Sequence, residues 1–307
     1  MNEPKLLRSA IVLLMSLQAG CATTGGGREP AAPRAQEARA VAIFHGESGA
    51  RTTWDELVAA ASEVDVVFIG ENHGHRLGLA SAAALFEDLV DRAPSASLSM
   101  EFLERDEQVF VDDYVSGVST MEEFERVSGR TASNFPPGHR AMVEAAAGAS
   151  RPVHASNAPR RYVSLARREG FERLAALTAE QRRCLRIPDD LIGGRYREAF
   201  DEEMTPEDEV DSEEWRERLD AVYRAQSVWD WTMAESVARA VQAGERPVVH
   251  VVGSFHVNHR GGTVQVLERL APSARVLIVS FVDEASAVLA EDDAGRGDFV
   301  VYVGTVD

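Results

Sequence analysis

Cysteine is nearly absent from this chain. Its 307 residues hold two, Cys21 and Cys184, too few for a disulfide-stapled scaffold or a metal site built on thiolates. Basic residues are also scarce beside acidic ones: 32 Lys and Arg against 50 Asp and Glu, a formal charge of −18. That balance argues against nucleic acid, and against an anionic membrane face, as the principal partner. The apolar run near the N-terminus, Ile11 to Leu17, is far short of the roughly 20 residues that a membrane-spanning helix needs. Hydrophobic residues, by contrast, make up 45% of the chain, which supplies an ample core and excludes disorder throughout. The length suits one large domain or two smaller ones.

The first residues are a targeting segment. Lys5 and Arg8 precede the short apolar run, which ends in Leu17-Gln18-Ala19-Gly20-Cys21. This resembles a bacterial lipoprotein signal with Cys21 as the lipidated residue, although Gln18 stands where an aliphatic residue is usual. Simple secretion with an idle cysteine is the alternative. Acylation would anchor a soluble domain rather than span the bilayer. By the same resemblance Ala22 implies the outer membrane of a bacterial envelope, with the domain facing the periplasm. Residues 1–20 are therefore assigned to the signal and 21–39, rich in Gly, Pro and Ala, to a flexible tether. Residues 40–307 are assigned to a single domain.

Within that domain, short β-branched runs alternate with amphipathic segments. Strands are expected near 40–44, 66–70, 96–100, 152–155, 248–253, 275–281 and 299–303. Helices are expected between them, one opened by the capping box Thr53-Trp54-Asp55-Glu56. This order predicts an α/β fold with a mainly parallel central sheet flanked by helices. The helical stretches at about 103–147 and 158–242 exceed simple crossovers and are expected to form a helical cap over the carboxyl edge of the strands. From Glu198 to Asp220 there are twelve acidic and two basic residues, read as a solvated face or a mobile lid.

In a parallel sheet the carboxyl ends of neighbouring strands open onto one crevice. Two apolar strands here close on Gly-x-x-His: Gly70-Glu71-Asn72-His73 and Gly253-Ser254-Phe255-His256. A third ends at Glu101 and a fourth at Asn157, followed by Arg160. Two His and one Glu on separate strands suit a divalent metal with an open position for water, or acid–base work on a bound substrate. The candidates are His73, His256 and Glu101 as metal ligands, with Glu101 and Glu71 as catalytic carboxylates. Asn157 and Arg160 are candidates for binding a carboxylate or propionate; the alternative is a helix-capping loop with a surface arginine. Gln226 and Asp230 share a helix face with Met233 and either look into the crevice or form a buried network. His75 and His259 are rim candidates. His154 and His250 read as core histidines, and His45 and His139 as loop residues with nothing beside them to recruit.

With these residues in view, the chain resembles the ChaN-like family of haem-binding lipoproteins, part of a superfamily with the Tiki metalloproteases and the erythromycin esterases. The matching segments are VVFIGENHGH, SMEFLERDEQVFVDDYVSG, PVHASNAPRRYV, AQSVWDWTMAESVA, HVVGSFHV and DFVVYV, in that order. The resemblance implies haem as cofactor, a role in iron acquisition and a possible homodimer. Tyr114 is the candidate iron ligand, since a phenolate can hold ferric haem; Arg160, Asn157, Gln226 and Asp230 complete the cofactor-binding set. The Tiki-type relatives imply the alternative, a metal-dependent peptidase or esterase using His73, Glu101 and His256.

Overall fold

The computed structural model describes residues 35–206 and 212–305. The signal segment, Cys21, the tether up to 34 and the stretch 207–211 of the acidic run lie outside the described residues.

The described chain opens with α1 (Ala35–Arg39), so the last five residues assigned to the tether are helical. Next come β1 (Ala42–His45), β2 (Arg51–Thr52), α2 (Trp54–Ser62), β3 (Val66–Glu71) and α3 (Arg76–Arg92). Arg39 accounts for the helix before β1: its guanidinium meets both oxygens of Asp88 on α3, at 2.9 and 2.8 Å. Asp88 also accepts from Trp54 Nε1 at 2.7 Å, which ties α1, α2 and α3 together. The capping box at Thr53 is present, both Thr53 and Glu56 closing on the other's backbone.

β4 (Ser97–Glu104) runs longer than expected and is followed by α4 (Gln108–Val115), α5 (Met121–Val127), α6 (Pro137–Gly148) and β5 (Val153–Asn157). Then come α7 (Arg160–Ala175), kinked where Gly170 takes a positive φ, α8 (Ala179–Arg182) and α9 (Arg195–Met204). The 30-residue α10 (Glu213–Gln242) leads into β6 (Val248–Gly253), α11 (Gly262–Leu270), β7 (Val276–Val282) and β8 (Phe299–Tyr302). Among the described residues no helix is long and apolar enough to cross a membrane.

The eight strands form one sheet in the order β2-β1-β8-β7-β3-β6-β4-β5. It is mixed rather than wholly parallel. The six strands from β8 to β5 run parallel, and β1 pairs antiparallel with both β8 and β2 at one edge. β3 and β6 lie at the centre and are buried at every position, as expected of strands covered on both faces.

This order creates a switch point. The chain leaves β3 through α3 to reach β4, on the far side of β6. It leaves β6 through α11 to reach β7, on the far side of β3. α3 packs with Val67 and Ile69 on one face of the sheet, while α10 and α11 pack with Val66 and Phe68 on the other. The loops after β3 and β6 therefore diverge from adjacent strands and leave a crevice between them.

The described carboxylates of the acidic segment are exposed or half-buried, the solvated face expected of them, but the segment is not wholly polar. Its first half is α9, whose Tyr196 and Phe200 are buried against α10. Their four-residue spacing puts both rings on one helix face, and the carboxylates occupy the other.

Candidate functional site

The crevice is built from both Gly-x-x-His loops. Gly253 ends β6, and a Cβ there would lie 3.0 Å from Cε1 and Nε2 of His73 and 3.5 Å from Glu101 Oε2. A side chain there would push the imidazole off its place on the strand end. The Gly253 N–H donates to Glu101 Oε2 at 2.6 Å, and the other oxygen of Glu101 stands 3.8 Å from His256 Nε2. Glu101 reaches this place because β4 leaves its regular register after Met100; such an irregularity re-aims a side chain. Glu101 thus lies beside both histidines.

Each histidine is oriented by its own carboxylate. Glu71, 2% exposed, accepts from His73 Nδ1 at 3.3 Å and from His139 Nε2 at 2.7 Å. Burial pushes the Glu71 carboxyl up, but the two imidazoles outweigh it and bring it down to about 2. Burial pushes His73 down, and Glu71 and Glu101 more than reverse that, so its pKa is raised.

On the other side, His256 Nδ1 donates to Asp230 Oδ1 at 2.7 Å. Asp230 also accepts from Thr263 Oγ1 at 2.6 Å and from Tyr196 OH at 2.8 Å. Gln226 Nε2 lies 3.2 Å from the same His256 nitrogen. With that nitrogen already donating to Asp230, the amide instead donates to Tyr196 OH at 3.0 Å. Burial lowers His256, whereas Asp230 and Glu101 raise it, with a net upward shift. Gly262 completes this side, because a Cβ there would collide with Tyr196 and Asp230.

Two carboxylate–imidazole couples, Glu71–His73 and Asp230–His256, therefore flank Glu101. Carboxylates that hold Nδ1 leave Nε2 of each ring toward Glu101 and fix the tautomer. Among the described residues no group of three or more His, Cys, Asp or Glu is disposed to hold a metal ion. The expected triad of His73, Glu101 and His256 is assembled as neighbours, with one Glu101 oxygen accepting from a backbone N–H and the other 3.8 Å from His256. Glu71 is locked between two imidazoles, so it orients rather than reacts.

Other expected residues fall elsewhere. His75 is no rim residue: it caps α3, its Nδ1 accepting from Gly78 N–H at 3.0 Å while Nε2 donates to the Gly304 carbonyl at 2.9 Å. His259 takes a positive φ of 53° and donates its backbone N–H to Arg296, away from the histidine pair. His250 is a core residue as expected, 2.9 Å from Ser99 Oγ, and burial brings it down to about 3. His154 is not core; it is partly exposed and paired with Glu245 at 2.6 Å. Asn157 Oδ1 accepts from its neighbour's N–H at Ala158, and the Arg160 backbone donates to Glu104. No side chain of that loop caps α7, and neither residue bonds to the histidine pair.

His139 is not the loop residue that the sequence suggests. It lies instead in the first turn of α6, 1% exposed, stacked on Phe102 at 4.0 Å. The signal was there, since Pro136-Pro137 starts a helix and carries the next residues into it. Tyr114 is half-buried on α4 with its ring 5.9 Å from Phe124. A run of ring contacts, Tyr114–Phe124–Phe135–His139–Phe102–His73, separates it from the crevice at 4.0 to 6.4 Å per step.

Fold and site together define a class: α/β proteins that place oriented imidazoles and carboxylates on two diverging loops at a sheet switch point. A family model described as "Haem-binding uptake, Tiki superfamily, ChaN" matches residues 57–267, and the chain belongs to that family. Of solved structures, one titled "Cofacial heme binding to ChaN of Campylobacter jejuni" is similar at a TM-score of 0.66 and 15% identity, covering 85% of this chain and 96% of that one. At that identity the likeness shows the fold. The type III effector HopBA1 (TM-score 0.46, 15% identity, 88% of this chain and 99% of that one) and an erythromycin esterase EreC mutant in its open conformation (0.46, 12%, 84% and 82%) are more distant. No curated protein matches.

Proposed function

We propose that this chain is a lipid-anchored envelope protein that binds haem for iron acquisition, held at the outer membrane by Cys21 and a tether reaching to about residue 34. The family match over residues 57–267 carries the reading.

The corner formed by α4, α5 and α6 suits haem. Among the described residues five large hydrophobics are exposed, and three of them, Val109, Val118 and Val127, lie on or beside α4 and α5. A flat apolar macrocycle covers such surface favourably. Tyr114 stands on the same corner, with Arg140 close enough to act on its phenol. Tyr114 would hold the iron, and Arg140 would face a propionate by exchanging one of its pairs with Glu125 and Glu144. Bound haem supplies a redox-active ferric centre; the chain supplies the ligand, the apolar cover and the charge. A haem bound on a surface corner is half covered, so a second copy of the chain would complete its enclosure. The helices after β4 and β5 act as a cap over the crevice, where Glu101 and the two histidines stand apart from the iron.

Titrating the purified full chain with haemin and following the Soret band tests this. Saturable binding that Tyr114→Phe weakens at least tenfold supports it. A spectrum that stays that of free haemin would sink the reading.

Hydrolysis is a second reading, favoured by one observation: both crevice histidines are held at Nδ1 by buried carboxylates, the arrangement a general base needs. An esterase and peptidase screen with His73→Ala and Glu101→Ala decides it, because activity surviving both substitutions removes the crevice from the chemistry.

A further inference from the structure

The formal charge of −18 conceals a face of opposite sign. From Arg160 to Arg186 the chain holds eight arginines against three glutamates, a local balance of +5. At 100° per residue, Arg160, Arg161, Arg167 and Arg168 fall within about 120° of the α7 circumference. The buried residues of the same helix, Tyr162, Val163 and Ala166, lie on the opposite side, packed with Ala225 and Val228 of α10. The arginines accordingly point to solvent.

The chain turns after α7 into α8, which ends at Arg182 with Arg183 as its cap, and Cys184 directly behind them returns to the first turn of α7. Cys184 lies close enough to Arg161 and Arg105 to feel their charge, and it packs in the same cluster as Tyr162 and Val163. Three of the eight arginines are paired: Arg161 with Asp106, Arg173 with Glu169, and Arg186 with Asp189 and Glu235. Arg167, Arg168, Arg182 and Arg183 have no ion-pair partner among the described residues, Arg160 acts on Glu104 without a close ion pair, and all five but Arg167 are exposed.

We propose that this arginine face of α7 and α8 docks onto the anionic phospholipid headgroups of a membrane surface. Guanidinium groups bind phosphate through paired N–H donors and are weakly hydrated. Their potential acts within a Debye length, about 8 Å at physiological salt, so the local sign governs contact while the total charge governs approach. The negative remainder of the chain then works as an orienting force, turning the acidic helices away from the bilayer. A basic face is also what a lipidated protein uses as its second attachment, since one set of acyl chains holds a domain without orienting it. The acidic segment of a second copy is a poorer occupant. Asp201 and Asp220 are already bound to Arg197, and Glu214 to Arg218.

Flotation of the full chain with vesicles tests the proposal, comparing phosphatidylcholine alone with phosphatidylcholine mixed with phosphatidylglycerol. The N-terminal segment is common to every variant, so differences between variants report the face. The wild-type chain is expected to prefer the anionic vesicles, and the preference should fall as salt rises. Arg167→Glu/Arg168→Glu and Arg182→Glu/Arg183→Glu should each reduce it by about tenfold or more, with circular dichroism unchanged. Arg126→Glu, an exposed reversal on α5, should retain it. Equal binding by all variants, or equal loss in Arg126→Glu, overturns the proposal. So does a result in which the α7 and α8 reversals abolish self-association without vesicles and leave vesicle binding intact, because the occupant is then a second copy.

Discussion

Replacing Asp230 by Asn removes one charge from the centre of the site while keeping its outline. Asp230 is 1% exposed and accepts from Thr263, His256 and Tyr196 at 2.6, 2.7 and 2.8 Å. All three partners donate, whereas an amide has one oxygen and an NH2 group that must face at least one of them. Losing a charge-assisted bond costs about 1.5–3 kcal/mol, and leaving a buried donor unsatisfied costs about 1–3 kcal/mol. Rearrangement recovers part of this, so Asp230→Asn should destabilise the fold by about 2–4 kcal/mol near neutral pH.

The loss should also depend on pH. His256 has its pKa raised in the folded state, by Asp230 before Glu101. Its contribution is therefore fully present below the unfolded value of about 6.5 and fades as pH rises through the folded value. Without Asp230 the burial penalty stays and protonation of His256 becomes unfavourable, so the gap between variant and parent should widen as the solution is acidified. Urea denaturation from about pH 5 to pH 8, with the His256 ring followed by NMR, measures both quantities. A gap that stays flat over that range, or an Asn variant as stable as the parent, refutes the reasoning.

Other expectations follow from the same geometry. Glu71→Gln should cost about 2–4 kcal/mol near neutral pH, since both imidazoles lose a buried carboxylate. Glu71 sits at about 2 in the fold, so its contribution is present above the unfolded value of about 4.5 and lost on acidification toward 2. The Gln variant should lack that part of the acid-unfolding curve. Gly253→Ala should cost about 1–3 kcal/mol by overpacking and displace the His73 ring, seen as a shifted imidazole resonance with unchanged circular dichroism. Haemin binding should tighten with rising pH, because burial, with Glu144, raises the Tyr114 phenol and the iron must displace its proton. Tyr114→Phe should remove that dependence; a pH-independent affinity in the parent would exclude the phenolate as ligand.

The fold was legible in the sequence wherever one local rule sufficed. The apolar runs at β3 and β6 and the Thr53 capping box each follow from composition within a few residues. The antiparallel edge was not legible. Whether β1 pairs with β8, some 250 residues later, depends on where the whole chain returns, and a four-residue strand records nothing of its partner's direction. The same holds for α9. Its acidic residues dominate the composition, while Tyr196 and Phe200, four residues apart, carry the burial and one of the contacts to Asp230.

His73, Glu101 and His256 were legible as strand-end residues because ionisable groups that interrupt an apolar run stand out by position. The sequence by itself also determined the paired Gly-x-x-His strand ends and the helix face shared by Gln226 and Asp230. Only the tertiary structure decided what each polar group does. It turned His75 into a helix cap, drew His139 in as the partner of Glu71, sent the Asn157–Arg160 loop away from the histidines and set Glu101 against a backbone N–H. The reason is physical: burial, hydrogen-bond partners and pKa are properties of what surrounds a side chain, and those surroundings come from strands and helices up to about 200 residues apart in the chain.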